Sequence, residues 1–252
     1  MKNTLSAAVL LIGDELLSGS IQDENLPHIA IKLEKRGIRV RETRIVPDIE
    51  FEIVEALNAL RAKYDYVFTT GGVGPTHDDI TSDSIAKAFG VANVVQQDVF
   101  DIIQSYLNSK EVEFTPAAQR MACAPEGAEV IKSAHSIVPG YRMDNVFVMA
   151  GVPRIMRLML DSIVDTLKIG SAILNSSVHA NVSEGEIAAV LEDIQQQHPD
   201  VDIGSYPQEP DSIKSNYRVI FVVRGTDQNQ INKVCEKILS ACTAGGFEAV
   251  SA

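Results

Sequence analysis

A short apolar run that ends in three closely spaced glycines constrains this chain more than any other feature. Tyr66–Phe68 has the composition of a buried strand, and the segment TTGGVGPT at 69–76 follows it directly. Glycine tolerates positive φ and leaves main-chain N–H groups open to a ligand, because no Cβ blocks the approach. A helix is predicted to open at Thr81. A loop between the carboxyl end of a strand and the start of a helix is typical of anion-binding sites.

An acidic pair, Asp78-Asp79, stands between this loop and the helix. Two carboxylates beside an anion repel it unless a cation mediates or they serve as acid and base. A tight turn with one aspartate as helix N-cap explains any single residue, but it does not require the whole run. The GxGxxG pattern fails at His77, and the P-loop ending Gly-Lys-Ser/Thr is absent. The segment therefore predicts a metal-assisted nucleotide or pterin-phosphate site.

The first part of the chain alternates between strand and helix patterns. Ala7–Ile12 is a continuous apolar run, as a buried parallel strand requires, and Ile38–Val46 is the next predicted strand. One helix is predicted from Asn25, and another opens at Pro47-Asp48. This alternation predicts an α/β fold, a mostly parallel sheet in three layers with helices on both faces. Further helices are predicted at 97–108, at 116–123 and from Pro153, and further strands at 130–131 and 145–149.

The remainder of the chain has a different order of elements. Ser183 and Glu186 form a predicted capping box at the start of a helix, and Asp227 with Thr226 caps another. Predicted strands at 177–182, 201–206, 217–224 and 247–250 complete a β-α-β-β-α-β pattern, which is typical of a smaller α+β ferredoxin-like domain. We therefore predict two domains, at 1–169 and 170–252. The polar stretch Pro207–Asn216 is interpreted either as a flexible hairpin or as a lid.

The segment TTGGVGPTHDDIT resembles the signature of the molybdopterin-binding fold shared by Mog and MoaB proteins, and most of all the amino-terminal domain of CinA and the related domain of FAD synthases. Three more segments agree: GDELLSG at 13–19 with Asp23 and Asn25 after it, TPAAQRMACAPEGA at 115–128, and VPG at 138–140 with GVP at 151–153. The resemblance covers roughly residues 5–165. Ala150 departs from the usual proline, and Ala117-Ala118 from an asparagine that is frequent in CinA relatives.

The carboxyl ends of parallel strands form one ligand-binding edge. Asp14 and Glu15 follow the first predicted strand, Asp48 the second, and the Asp78-Asp79 pair the third. Convergence of these carboxylates would suit a Mg²⁺-type site, in which phosphate oxygens complete the coordination. Asp48 is equally explained as a first-turn helix acid, and Asp14 and Glu15 as turn residues.

The resemblance implies functional roles for Asp48 and Asp79, because Mog-like proteins carry functional aspartates at the matching positions. We therefore assign Asp48, Asp78 and Asp79 as catalytic candidates, with Asp48 and Asp79 as candidate metal ligands. His77 is interpreted as a polar loop residue. The candidate ligand-binding or phosphate-binding residues are Asp14, Glu15, Thr70, Gly71, Gly72, Val73, Gly74, Thr76, Thr81 and Gly140.

The resemblance also implies an activity. CinA-like amino-terminal domains resemble pyrophosphatases that act on ADP-ribose with Mg²⁺, Mn²⁺ or Co²⁺, and the domain of FAD synthases is linked to FAD hydrolysis. Hydrolysis of such a diphosphate is the leading hypothesis. The alternative is a non-hydrolytic protein of molybdenum-cofactor metabolism that binds molybdopterin or a nucleotide. A protein-interaction module with a vestigial loop is a third class.

Net charge and composition limit the classes of partner expected for this protein. A net charge of −12 and a pI near 4.8 argue against nucleic acid, which requires a basic face. No apolar run is long enough to span a bilayer and no signal peptide is recognisable, so a cytoplasmic protein without a membrane partner is expected. Three cysteines without CxxC spacing predict neither disulfides nor a zinc site. The expected partner is a small nucleotide or pterin, and relatives suggest a homo-oligomer.

Overall fold

The computed structural model describes residues 5–131, 140–208 and 217–251. The chain divides into two compact units, and the change from one to the other falls between Gly170 and Ser171. The strands are β1 (Leu5–Ile12), β2 (Ile38–Val46), β3 (Tyr66–Thr70), β4 (Asn93–Val95), β5 (Cys123–Pro125), β6 (Glu129–Ile131), β7 (Gly140–Met143), β8 (Val146–Met149), β9 (Leu174–Ala180), β10 (Asp202–Pro207), β11 (Val219–Gly225) and β12 (Ala249–Ser251). The helices are α1 (Asp14–Leu17), α2 (Asn25–Glu34), α3 (Glu50–Lys63), α4 (Thr81–Phe89), α5 (Gln97–Ser109), α6 (Pro116–Arg120), α7 (Pro153–Ile163), α8 (Glu184–Gln197) and α9 (Gln228–Ala244), with a 3₁₀ turn at Val164–Thr166.

The main sheet of the first unit has the order β2-β1-β3-β8-β7-β6. Strands β2, β1, β3 and β8 run parallel, whereas β7 and β6 are antiparallel to their neighbours. Residues Ala7–Ile12 of β1 are no more than 1% exposed, as expected for a strand buried on both faces. The predicted mostly parallel sheet is therefore confirmed.

Each face of this sheet carries its own apolar core. Helices α2 and α7 cover one face through residues such as Leu33 and Met156. Helices α3 and α4 cover the other through Leu57 and Ile85. All four side chains are fully buried, so the unit has the predicted three layers.

Two predicted helix bounds in this unit were wrong. The helix predicted at Pro47-Asp48 begins at Glu50, because a tight turn in which the Ile49 N–H donates to the Pro47 carbonyl at 2.8 Å comes first. The helix predicted at 116–123 ends at Arg120, and Cys123–Pro125 pairs with β4 as a small antiparallel sheet. Strands β4 and β7 were missed. Each has only three or four residues, too few to show a hydrophobic period, whereas the equally short β6 and β8 were recognised from their apolar residues.

The second unit has the sheet order β10-β11-β9-β12 with every pair antiparallel. Helices α8 and α9 pack on this sheet, which confirms the predicted small α+β domain with β-α-β-β-α-β order. The predicted capping box of Ser183 and Glu186 is present. Cys235 and Cys242 lie in the core of the second unit, at 5% and 0% exposure. Most of the stretch Pro207–Asn216 lies outside the described residues.

Candidate active site

The glycine loop connects the end of β3 to the start of α4. Gly71 and Gly72 have φ of +106° and +64°, which side chains rarely adopt. A Cβ on Gly71 would lie 2.0 Å from the Ile12 carbonyl oxygen, so the loop packs directly against the end of β1. The Gly71 N–H donates to the Met149 carbonyl at 3.3 Å, which anchors the loop to β8 as well. Only glycine fits at this junction of three strands.

Thr81 fastens this loop to α4. Its hydroxyl donates to the Gly71 carbonyl at 2.9 Å, and its main-chain N–H donates to the Gly72 carbonyl at 3.0 Å. The side chain is fully buried and lines neither of the cavities described below. The sequence suggested a ligand contact for Thr81, whereas its hydroxyl is engaged in holding the loop.

Three consecutive amides of the loop are available to a ligand. Within the described chain, no residue accepts a hydrogen bond from the main-chain N–H of Gly72, Val73 or Gly74. All three residues are half-buried rather than fully exposed. Unpaired amides in a recess form the kind of cradle that binds phosphate oxygens.

The Asp48 carboxylate, on the loop after β2, lies between the loop after β1 and the glycine loop after β3. Its Oδ2 accepts a hydrogen bond from the Asp14 N–H at 3.1 Å, and its Oδ1 would lie 3.4 Å from a Cβ on Gly72. Burial raises the pKa of Asp48, the Asp14 N–H partly offsets this, and repulsion from Glu15, Asp14 and Asp78 raises the pKa further. The structure therefore brings carboxylates from all three loops within electrostatic reach of one another.

Asp79 lies at the end of the glycine loop that leads into α4. Its Oδ2 accepts hydrogen bonds from the Thr76 N–H, at 2.7 Å, and from the Thr76 hydroxyl. The N-cap residue of α4 is Ile80, without a side-chain cap, so neither aspartate of the pair caps this helix. The alternative interpretation, in which one aspartate of the pair is the helix N-cap after a tight turn, is therefore excluded.

The acids do not form a ready-made metal cage. Among the described residues, no group of three or more His, Cys, Asp or Glu side chains is placed to hold a metal ion. Mg²⁺ usually binds through one or two carboxylates, several waters and substrate phosphates, rather than through an all-protein cage. Asp48 beside Gly72 and Asp79 beside Gly74 suit a metal that arrives with a diphosphate.

Two cavities flank the glycine loop. The larger has a volume of 510 Å³, within the range of roughly 300–1,000 Å³ that is usual for small-molecule sites, and the smaller has 190 Å³. Apolar side chains such as Leu16, Ile21, Val152 and Ile155 line the larger one. The two share a wall made of Gly72, Val73, Gly74, Asp79 and Met121. A ligand bound to the loop amides can therefore extend into either cavity.

The predicted site residues divide by position around these cavities. Those that line the larger cavity are Glu15, Thr70, Gly71, Gly72, Val73, Gly74 and Asp79. Those that line the smaller one are Gly72, Val73, Gly74, Asp79 and Gly140. The predicted residues that line neither cavity are Asp14, Asp48, Thr76, Asp78 and Thr81.

Asn25 is a site residue to which sequence reasoning gave no role. It is 5% exposed, lines the larger cavity, and donates from Nδ2 to the Gly151 carbonyl at 2.7 Å and to the Thr70 hydroxyl at 3.4 Å. Its Oδ1 has no partner in the part of the chain that the structure describes. The sequence contained one signal for Asn25, because it follows the GDELLSG segment at 13–19, one of the segments that carry the family resemblance. Arg120, at the smaller cavity, was missed as well.

The parallel sheet, the glycine loop and the flanking cavities define a molybdopterin-binding type of α/β domain. The model of the family described as "probable molybdopterin binding domain" matches residues 8–169, and that of "FAD synthase, middle domain" matches residues 172–250. The chain therefore belongs to the molybdopterin-binding domain family.

Individual relatives agree with this assignment. A protein of Archaeoglobus fulgidus is 30% identical over 91% of this chain and 94% of its own length. A probable FAD synthase of Caenorhabditis elegans is 29% identical over 82% of this chain, which spans only 45% of that protein. The crystal structure of a CinA protein of unknown function from Thermoplasma acidophilum covers 64% of this chain and 96% of its own, with 28% identity and a TM-score of 0.59. The resemblance seen in the sequence is confirmed.

No helix among the described residues has the length and apolarity needed to cross a membrane.

Proposed function

We propose that this protein is a divalent-metal-dependent nucleotide pyrophosphatase that acts on ADP-ribose or FAD. One observation carries the proposal: the Asp48 carboxylate is held against Gly72, where the unpaired amides of Gly72–Gly74 form an anion cradle. Carboxylates alone would repel a diphosphate, whereas carboxylates with a divalent ion attract it. The proposal thus explains why acids surround an anion cradle.

The residues have separate roles in this reaction. The amides of Gly72–Gly74 bind phosphate oxygens, and Asp48 and Asp79 are the side chains that would hold Mg²⁺, Mn²⁺ or Co²⁺. When bound, the metal neutralises diphosphate charge and lowers the pKa of water. Asp78, with a side chain 58% exposed and an ionised carboxylate, orients the attacking water and receives its proton. The water oxygen bonds to phosphorus as the bridging P–O bond breaks, which releases AMP and the second phosphate monoester.

Two of the relatives' descriptions support this substrate class. A FAD synthase middle domain matches the second unit, and a relative is named a probable FAD synthase. Both names connect this arrangement of units with a dinucleotide. The larger cavity has the volume for one heterocyclic ring system of such a ligand.

Hydrolysis can be measured directly by following AMP release from ADP-ribose and from FAD with each of the three metals. Asp79→Asn should lose activity by at least about a hundredfold, because it weakens the metal position while the amide still accepts from Thr76. Asp101→Asn is the matched control, since this exposed aspartate on α5 lines neither cavity. Wild-type protein that releases no AMP from either substrate would rule out the proposal.

The alternative function is binding of molybdopterin or a nucleotide without hydrolysis. The family description favours it, and the apolar walls of the larger cavity suit a flat ring. Pterin fluorescence that co-purifies with the protein, or tight nucleotide binding without product, would distinguish this function from hydrolysis.

A further inference from the structure

We propose that Arg120 binds the phosphate group of the substrate and thereby directs that group to the side of the glycine loop that faces the smaller cavity, while a neutral ring occupies the larger one. This inference rests on the proposed function, because it concerns the same site. Arg120 is neither a proposed catalytic residue nor a proposed metal ligand, and its position would set the orientation of the bound ligand.

Arg120 is placed at the end of the glycine loop by the short helix α6. Its Nη2 donates to the Pro75 carbonyl at 3.3 Å, one residue beyond the last unpaired amide, at Gly74. The Thr115 hydroxyl caps the helix by accepting from the Ala118 N–H at 3.2 Å. Ala122, two residues after Arg120, is 1% exposed. The main chain on both sides of Arg120 is therefore held, and the hydrogen bond to Pro75 places its exposed guanidinium beside the cradle.

The charges that line the two cavities differ. Among described residues, Arg120 is the only lysine or arginine that lines either cavity, and it lines the smaller one. The acids of the larger cavity are Glu15, Asp23, Glu24 and Asp79, whereas those of the smaller one are Asp79 and Asp83. Asp83 already accepts a hydrogen bond from Asn93 at 2.8 Å, and Glu24 is paired with Arg157. The acids of the larger cavity that form no salt bridge with a described residue are Glu15, Asp23 and Asp79. A phosphate is therefore repelled less, and attracted more, on the Arg120 side.

The guanidinium has donors to spare. It carries five N–H groups, of which the bond to Pro75 uses one. No carboxylate among the described residues lies within salt-bridge distance of Arg120, although other arginines of the chain, such as Arg36 and Arg157, pair with acids. A planar guanidinium with free donors binds phosphate through two parallel hydrogen bonds. Arg120 thus has the geometry of an anion-binding arm.

The larger cavity then receives the uncharged part of the ligand. Its apolar walls include Leu16, Ile21 and Val152, and no described lysine or arginine lines it, although Arg157 pairs with Glu24 at its edge. A neutral heterocycle fits these walls, whereas a phosphate does not. The substrate class is a planar neutral base that carries a phosphate or diphosphate group.

The charge preference can be isolated with two ligands that share a base. AMP and adenosine are titrated by calorimetry, in one Mg²⁺ buffer, into wild-type protein, Arg120→Gln and Arg120→Lys. We expect wild-type protein to prefer AMP, Arg120→Gln to lose about tenfold or more of its AMP affinity, and adenosine affinity to stay unchanged. Arg120→Lys should retain part of the preference, because it keeps the charge without the two-pronged geometry. Arg142→Gln is the control, since Arg142 lines neither cavity.

The outcomes separate this inference from the proposed function. Equal losses of AMP and adenosine affinity in Arg120→Gln would indicate a structural role, and unchanged AMP affinity would place the anion elsewhere; either result overturns the inference. Binding of neither ligand by wild-type protein overturns it too. AMP release is measured separately, so a protein that shows the Arg120 effect without hydrolysis would refute only the pyrophosphatase. Circular dichroism of each variant confirms folding.

Discussion

At the scale of single residues, Asp48 shows how the fold places charge at a cost to stability. Its carboxylate is partly buried, and three other acids face it, so its ionised form is disfavoured in the folded chain. A structural aspartate would more often have a cationic partner nearby. The electrostatic strain at Asp48 is the state that a bound divalent ion would relieve.

Asp48→Asn should therefore stabilise the metal-free protein at pH 7. The folded pKa of Asp48 lies above its unfolded value of about 3.9, so ionisation reduces stability progressively as pH rises through these values. We expect the Tm at pH 7 to rise by no more than about 2–4 °C, since a partly exposed charge contributes less than about 1 kcal/mol. The gain should disappear at a pH below both values.

Thermal unfolding with and without Mg²⁺ measures both effects of Asp48→Asn. The Tm increase that Mg²⁺ with ADP-ribose gives to wild-type protein should be absent in the variant. Asp101→Asn serves again as the control. A variant that is less stable than wild type at pH 7 would contradict this account of Asp48.

At the scale of elements, the glycine loop combines two different requirements. Gly71 is needed by the fold, because its α-carbon packs against the Ile12 carbonyl at a positive φ. Gly74 lies at the candidate site: its φ is not in the left-handed region, but a Cβ there would lie 2.6 Å from Oδ2 of Asp79. Substitutions at Gly71 and Gly74 are therefore expected to have different effects, the first on stability and the second on function.

Alanine at each position should show this separation. Gly71→Ala should destabilise the protein by about 3 kcal/mol or more, or prevent its folding, because the clash is with main-chain atoms. Gly74→Ala should change stability by less than about 1 kcal/mol, since a carboxylate can rotate away, yet reduce AMP release by at least about tenfold. Urea unfolding and the AMP assay measure the two effects. A Gly74→Ala variant with full activity would show that Asp79 is not held in a required position.

At the scale of the whole molecule, the candidate site belongs entirely to the first unit. Both cavities are lined by residues before Gly170, and the acids of all three loops lie there too. The second unit has a separate core, which includes Phe221 and Ile238. Each unit therefore has the independent apolar core that is typical of a domain.

A chain truncated after Gly170 should fold and retain nucleotide hydrolysis or binding comparable to that of the full chain. Two cores on the faces of its sheet remain intact in this fragment. Circular dichroism tests the folding, and AMP release together with AMP binding tests the site. A fragment that folds but neither binds nor hydrolyses would show that the second unit contributes to the site. Light scattering on both proteins also tests the expected homo-oligomer.

The local features of this fold were readable from the sequence because local physics dictates them. The apolar run Ala7–Ile12 has only a buried strand to occupy, and the glycines at 71 and 72 predict a main chain with positive φ. The capping box at Ser183 is likewise a local signal. The short strands β4 and β7 gave no such signal.

The sequence by itself determined the class of fold, the position of the loop and the acids that surround it. Only the tertiary structure decided which groups meet: Asp48 with Asp14 across 34 residues, Arg120 with Pro75 across 45, and Asn25 with Gly151 across 126. Hydrophobic period and backbone preference act over a few neighbouring residues, whereas these contacts depend on the order of strands in the sheet. That order brings distant loops to one edge, and there it forms the site.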